Sequence, residues 1–300
     1  VRPARLRRAS HAGAWYAAGA GALSRELRSW LQAASREACA EDLGRARGVI
    51  APHAGYRYSG STAAHAYAAL QAAAPRVSRV FVLGPSHHWF TRRCALSAQE
   101  AYETPLGELA IDQDVCAQLA ATGKFETMSK QVDEDEHSIE LHMPYIAECV
   151  GMDVAVVPIL VGALTAASEA EYGALLAPYL RDEANFFVVS SDFCHWGRRF
   201  NYTYHDASEG PIHKSIEALD RRGMAEIESG APEAFTRYLA RYENTICGRH
   251  PIGVMMCMAK EAGKHHGVGL TTKFVKYAQS SQCKSGEDSS VSYASALVLS

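Results

Sequence analysis

The eight cysteines of this chain (39, 94, 116, 149, 194, 247, 257 and 283) include no Cys-x-x-Cys pair, and no apolar run approaches the roughly 20 residues of a membrane-spanning helix. Nor is there an excess of either charge. With 30 basic and 33 acidic residues and a net charge of -3, the chain lacks the electrostatic footprint of a nucleic-acid or anionic-membrane binder. A small molecule or a protein is the expected partner. The missing cysteine pairs, in a chain of 300 residues with 48% hydrophobic content, exclude a disulfide-stapled mini-domain. Reduced thiols and a cytoplasmic location, with the nucleus as a second compartment, are therefore expected. Internal repeats, low-complexity linkers and composition breaks are also missing, so residues 1–300 read as one domain. The basic start (Arg2, Arg5, Arg7, Arg8) has no acid before Glu26 and has the character of a transit peptide.

Short apolar runs rich in Val, Ile and Phe predict buried strands at Val49 to Ala51, Val80 to Leu83, Val154 to Val161 and Phe186 to Val189. Helical spacing of apolar residues predicts helices at Leu23 to Ala38, Ser61 to Ala72, Asp114 to Thr122, Ser138 to Val150, Glu169 to Leu180 and Ile212 to Met224. Two further helices, around Pro232 to Tyr242 and after Pro251, precede strand-like runs at Thr272 to Tyr277 and Val291 to Leu299, with Gln282 to Ser290 as a polar loop. Strands alternating with helices predict an α/β fold with a mixed central sheet flanked by helices.

Open α/β sheets bind ligands beyond the carboxyl ends of their strands. Here the residues after three apolar runs share a character. Val49-Ile50-Ala51 leads to Pro52-His53, Val80 to Leu83 leads to Gly84-Pro85-Ser86-His87-His88, and Phe186 to Val189 leads to Ser190-Ser191-Asp192-Phe193-Cys194-His195. A lone histidine at a strand end is more often a hydrogen-bonding loop residue than a ligand. Three in succession, from 13 histidines in 300 residues, point to a shared transition-metal site. Cys247, just before a predicted helix, is a candidate thiolate ligand, since amide dipoles lower a thiol's pKa. His88 neighbours His87 and is expected to point elsewhere.

The run Asp133-Glu134-Asp135-Glu136-His137-Ser138-Ile139-Glu140-Leu141-His142 contains neither His-Glu-x-x-His nor His-x-x-Glu-His. On one helix, residues 137 and 142 would differ by about 140°, so both cannot face one ion. Acids before a helix also satisfy free amides, which explains most of the run without a ligand. His137 remains a candidate for the edge of the pocket.

Several ordered motifs together resemble the Memo family. They are Ser10 to Tyr16, Ala51 to Tyr56, Gly84 to His88, Asp133 to Pro144, Ser190 to Gly197, Asn244 to Gly253 and Tyr277 to Ser281. The likeness runs essentially end to end and begins at Ser10, so the basic start is expected to belong to the folded protein. Memo proteins are similar in fold to extradiol ring-cleaving dioxygenases. The resemblance implies that His53 and His87 take the two histidine ligand positions of such enzymes, that Cys247 stands at the carboxylate ligand, and that His195, with Asp192 beside it, resembles the acid/base histidine. A soft thiolate in place of a hard carboxylate favours copper or zinc over an open Fe(II) site and argues against ring cleavage.

The resemblance further implies redox chemistry with copper first and iron(II) or zinc as alternatives, in signalling from receptor tyrosine kinases to the cytoskeleton and cell migration. Two other readings stand beside it. One is a non-catalytic adaptor binding phosphotyrosine peptides in the same pocket, with Arg249, His88 or His137 meeting the phosphate. The other is a zinc-dependent hydrolase with His195 as base.

Overall fold

The computed structural model describes residues 5–266 and 269–300; Arg2 of the basic start lies outside them. The chain runs through β1 (Leu6–Arg7), α1 (Ala20–Glu37), α2 (Ala40–Arg45), β2 (Ala46–Ala51), α3 (Tyr56–Ala73) and β3 (Arg79–Pro85). Four short strands follow, β4 (Cys94–Ser97), β5 (Ala101–Thr104), β6 (Gly107–Ala110) and β7 (Glu126–Met128), with α4 (Gln113–Ala121) before the last. Next come α5 (Lys130–Asp135), α6 (His137–Glu140), α7 (Met143–Val150), β8 (Ala155–Val161), α8 (Ala166–Arg181), β9 (Asn185–Ser190) and β10 (His195–Trp196). The chain closes with α9 (Ile212–Glu228), α10 (Pro232–Tyr242), α11 (Arg249–His266), β11 (Thr271–Gln279) and β12 (Ser290–Leu299).

The central sheet has the order β10-β12-β2-β9-β3-β8-β4-β7, and β11 pairs with β12. Neighbours from β2 through β9 and β3 to β8 are parallel, while β12 against β2 and β4 against β8 are antiparallel. The sheet is therefore mixed, as the alternation of elements predicts. Strands β2 and β9 are buried along their whole length. Helices cover both faces of such strands, which is why they read as continuous apolar runs rather than alternating ones. Helix α1 presents Leu23, Leu27, Leu31 and Ala34 on one buried stripe. Helix α3 is instead buried nearly all round and filled with alanines, which lets it lie close against α1, β2 and β12.

Two departures from the sequence reading matter for function. The segment from Cys94 to Met128 forms four strands of three or four residues each, too short to leave a periodic signal. The helix expected over Ser138 to Val150 is broken into α6 and α7, because Pro144 opens a new helix with His142 at its N-cap. The 140° argument against His137 therefore does not apply. His137 and His142 sit on different helices.

All eight cysteines are free, as expected of reduced thiols. Among the described residues no helix is long and apolar enough to cross a membrane.

Candidate metal centre

Strands β2, β9 and β3 are adjacent and parallel, so their carboxyl ends lie on one edge of the sheet. His53, Ser190 to His195, and His87 leave from that edge. This places His53 and His87 with ring centroids 5.2 Å apart in an edge-to-face arrangement. His137, at the start of α6, completes the group. Its ring stacks on His87 at 4.4 Å and meets the edge of His53 at 5.4 Å. One ligand atom from each of His53, His87 and His137 lies within 4.8 Å of the other two. The cluster can hold a metal ion.

The hydrogen bonds decide which ring nitrogens are free. Ser190 Oγ donates its single proton to the Ser138 carbonyl at 2.7 Å, so it accepts from His53 Nδ1 at 2.6 Å. His53 Nε2 thus carries the lone pair. His87 Nδ1 lies 2.8 Å from a Glu136 carboxylate oxygen, which only accepts, and this leaves His87 Nε2 free in the same way. Carboxylates and hydroxyls in this position orient metal-binding imidazoles and raise their basicity. His137 Nδ1 is buried with no hydrogen-bond partner and stands 3.7 Å from Glu136 Oε1. An orphaned buried nitrogen beside two oriented imidazoles is what an ion would satisfy.

Protonation favours the same state. Burial first, and then the neighbouring histidines, push His53 well below its ordinary range and His137 down to about 3. Both rings are therefore neutral near neutral pH and need release no proton to bind a metal. Burial raises Glu136, but the side-chain and backbone N–H groups of His87 outweigh it and hold the carboxyl at about 2.

Cys247 stands beside this triangle rather than in it. Its Sγ lies 3.3 Å from His53 Nε2 and accepts the Asp192 N–H at 3.2 Å. The expectation that helix dipoles would ionise it is corrected here, because burial and the adjacent Asp192 push the thiol well above its ordinary value. Two hydrogen bonds from backbone N–H groups do not offset that cost. Ionisation of Cys247 would need the charge of an ion nearby.

Asp192 accepts the His53 N–H at 2.9 Å and is buried, and burial raises its pKa against the opposing pull of His195. His195 directs Nδ1 at the carbonyls of Phe193 and Thr245, at 2.9 and 3.2 Å, so Nε2 is its free nitrogen. His88 is exposed, with its ring 6.4 Å from His87 and 6.1 Å from His137. Arg249 is exposed at the start of α11, and among the described residues no ion pair or hydrogen bond joins its side chain to the histidines.

The local reading of the sequence placed His137 at the margin of the pocket. What brings it in is the buried Arg7, whose guanidinium donates to the carbonyls of Asp133 at 2.8 Å and Glu136 at 2.9 Å and pairs with Glu140. Glu140 also accepts from Tyr16 at 2.7 Å and from His11 at 2.6 Å. Trp15, in the same N-terminal segment, lies against His137 at 4.5 Å. The signal was present in Ser10 to Tyr16 and Asp133 to Pro144, but no spacing rule links segments more than 110 residues apart.

A family model described as Memo-like protein matches residues 7–297. The chain belongs to the Memo family. Its similarity to Memo proteins of known name extends over nearly the full length. It is 52% identical to protein MEMO1 of Xenopus laevis over 296 residues, covering 98% of this chain and 97% of that protein. The human protein MEMO1 is 51% identical over 294 residues, covering 96% and 95%. The memo-1 homolog of Caenorhabditis elegans is 43% identical over 295 residues, covering 98% and 82%. The Memo match begins at residue 7 and so takes in Arg7, whose buried side chain belongs to the fold.

Proposed function

We propose that this Memo-family protein binds a redox-active transition metal, copper first and iron second, through His53 and His87, with His137 or Cys247 as the third donor. The observation that carries the reading is the triangle of imidazoles from His53, His87 and His137, two of them oriented by Ser190 and Glu136 and the third bearing an orphaned buried nitrogen. Imidazoles with a thiol alongside suit copper, zinc and iron. A bound ion would supply Lewis acidity or electron transfer. His195, its Nε2 free, would take or give the proton, and Asp192 would hold the backbone of His53 and the charge balance beside it. Oxidant production feeding receptor-tyrosine-kinase signalling to the cytoskeleton is the cellular role proposed with it.

The deciding experiment is metal analysis of protein purified without added metal, followed by titration with Cu(I), Cu(II), Fe(II) and Zn(II). Binding lost in His53→Ala and His87→Ala supports the reading, and absence of binding by the unsubstituted protein ends it. Comparing His137→Ala with Cys247→Ala identifies the third donor. Zinc binding without redox activity would move the reading to the hydrolase.

One observation favours the adaptor reading. A cavity of about 410 Å³ opens beside Trp15, lined by Tyr58, Tyr293 and Arg199. Arg199 lines this cavity and Arg249 does not, so Arg199, whose guanidinium lies over the Phe200 ring at 4.4 Å, is the arginine that would meet a phosphate there. Tyrosine and phosphotyrosine peptides compared against Arg199→Ala test that reading, and equal binding of both peptides abandons it.

A further inference from the structure

Asp220 on α9 is fully buried, and its hydrogen-bond partners are all neutral. The Cys194 N–H donates to Oδ1 at 3.2 Å, Asn244 Nδ2 to Oδ1 at 2.9 Å, and the Tyr277 hydroxyl to Oδ2 at 2.9 Å. Burial pushes the carboxyl up to about 6 despite these donors. A buried ionisable group held only by neutral donors is a costly bridge. The segments it joins suggest why it is there.

Cys194 precedes His195, and Asn244 precedes Thr245. Thr245 is the residue that grips His195. The His195 N–H donates to Thr245 Oγ1 at 2.7 Å, Thr245 Oγ1 donates back to the His195 carbonyl at 3.1 Å, and the Thr245 carbonyl faces His195 Nδ1. The second acceptor of Nδ1, the Phe193 carbonyl, lies on the turn whose Cys194 N–H Asp220 holds. On β12, Ser292 ties this turn through both its N–H and its carbonyl, to Cys194 and Phe193. We propose that Asp220 is a positioning residue for His195. By holding the Cys194 N–H and the Asn244 amide on one carboxyl group, it clamps the two segments whose carbonyls accept from His195 Nδ1, and so fixes the tautomer with Nε2 free. The inference rests on the reading of His195 as the proton-transfer group of the pocket.

Asp220→Asn keeps an oxygen for Cys194 and Asn244. Its new N–H₂ group can donate to Tyr277, whose own proton has Ser292 Oγ as an acceptor at 3.2 Å. Asp220→Ala removes the clamp. Asn244→Ala keeps the Cys194 half of the clamp and cuts its link to the Thr245 segment, together with the bond from Asn244 Nδ2 to the Tyr238 hydroxyl at 2.8 Å. The test is a long-range proton–nitrogen correlation spectrum of ¹⁵N-histidine-labelled full-length protein at neutral pH without metal, with the His195 signals assigned from His195→Gln.

The unsubstituted protein and Asp220→Asn should each show one pyrrole-type and one pyridine-type nitrogen for His195. In Asp220→Ala and Asn244→Ala the two should merge toward averaged values. If Asp220→Ala does not fold, Asn244→Ala carries the comparison. Leu31→Ala, a core truncation on α1, should leave the pair separate and so removes lost stability as the cause. A separate, native-like pair in Asn244→Ala or Asp220→Ala overturns the proposal. A protonated Nε2 in the unsubstituted protein overturns the assignment of His195 itself, and metal titration reports on neither result.

Discussion

Glu136 shows how one side chain does two jobs. It caps α6 by accepting the Ser138 N–H at 2.9 Å, and it receives both the backbone N–H and the Nδ1 proton of His87. Glu136→Gln should therefore leave a folded protein whose metal affinity falls roughly 10- to 100-fold, as partners of metal-bound histidines generally do. Competition against a chromophoric chelator measures this, and unchanged affinity would show that His87 is not a ligand. His142 supplies a pH prediction. It is buried against the Tyr67 hydroxyl at 2.6 Å, and burial holds its pKa at about 3, below the ordinary 6.5. The unfolded chain binds more protons between those values, so stability present above about pH 6.5 is lost as pH falls toward 3. At about pH 5 the loss is on the order of 2 kcal/mol. Urea unfolding should accordingly be flatter with pH in His142→Gln, and parallel curves for the two proteins would refute the assignment.

At the scale of elements, the break between α6 and α7 creates the site. Gly84, near the end of β3, permits it. A Cβ there would lie 2.6 Å from Ile139 Cγ1 and from Ser138 Oγ, both on α6. Gly84→Ala should displace α6, cost about 1–3 kcal/mol by overpacking and weaken metal binding, as calorimetry and metal titration would register. The segment before α6 depends on Arg7 in β1, which is fully buried with Asp133 and Glu140. Removing one partner of a buried ion pair leaves uncompensated charge and costs about 3–5 kcal/mol. Arg7→Met should lower the unfolding midpoint accordingly and reduce metal affinity, although Arg7 touches none of the three histidines. Retained affinity in a destabilised Arg7→Met would mean that α6 holds its place by other contacts.

At the scale of the whole molecule, the core does not depend on an ion. One apolar cluster runs from Leu23 on α1 through β2, β3, β8 and β9 to Leu299 on β12. The protein is therefore expected to unfold cooperatively with or without metal, unlike a small metal-stapled domain. A ligand at a hundredfold excess over its Kd adds about 2.7 kcal/mol, or roughly 5 °C in the midpoint, and chelator should remove that increment without unfolding the chain. Loss of the near-ultraviolet dichroism on chelation would contradict this.

Much of the fold was legible locally. Continuous apolar runs marked β2, β3, β8 and β9, because strands covered on both faces need apolar side chains at every position. The histidines after three of those runs marked the edge of the sheet from which His53, His87 and His195 leave, because parallel strands share a direction. By itself the sequence therefore determined the fold class and the two histidines, 53 and 87, that begin the triangle. Tertiary structure decided the third corner and the state of Cys247. His137 reaches the site because Arg7 and Trp15, over 120 residues away in the chain, hold the segment around α6, and because Pro144 starts a new helix. Cys247 keeps its proton because packing against Asp192 and His53 removes the water that would stabilise a thiolate. Local pattern encodes which residues share a face, whereas proximity across the chain and desolvation arise only once the layers close.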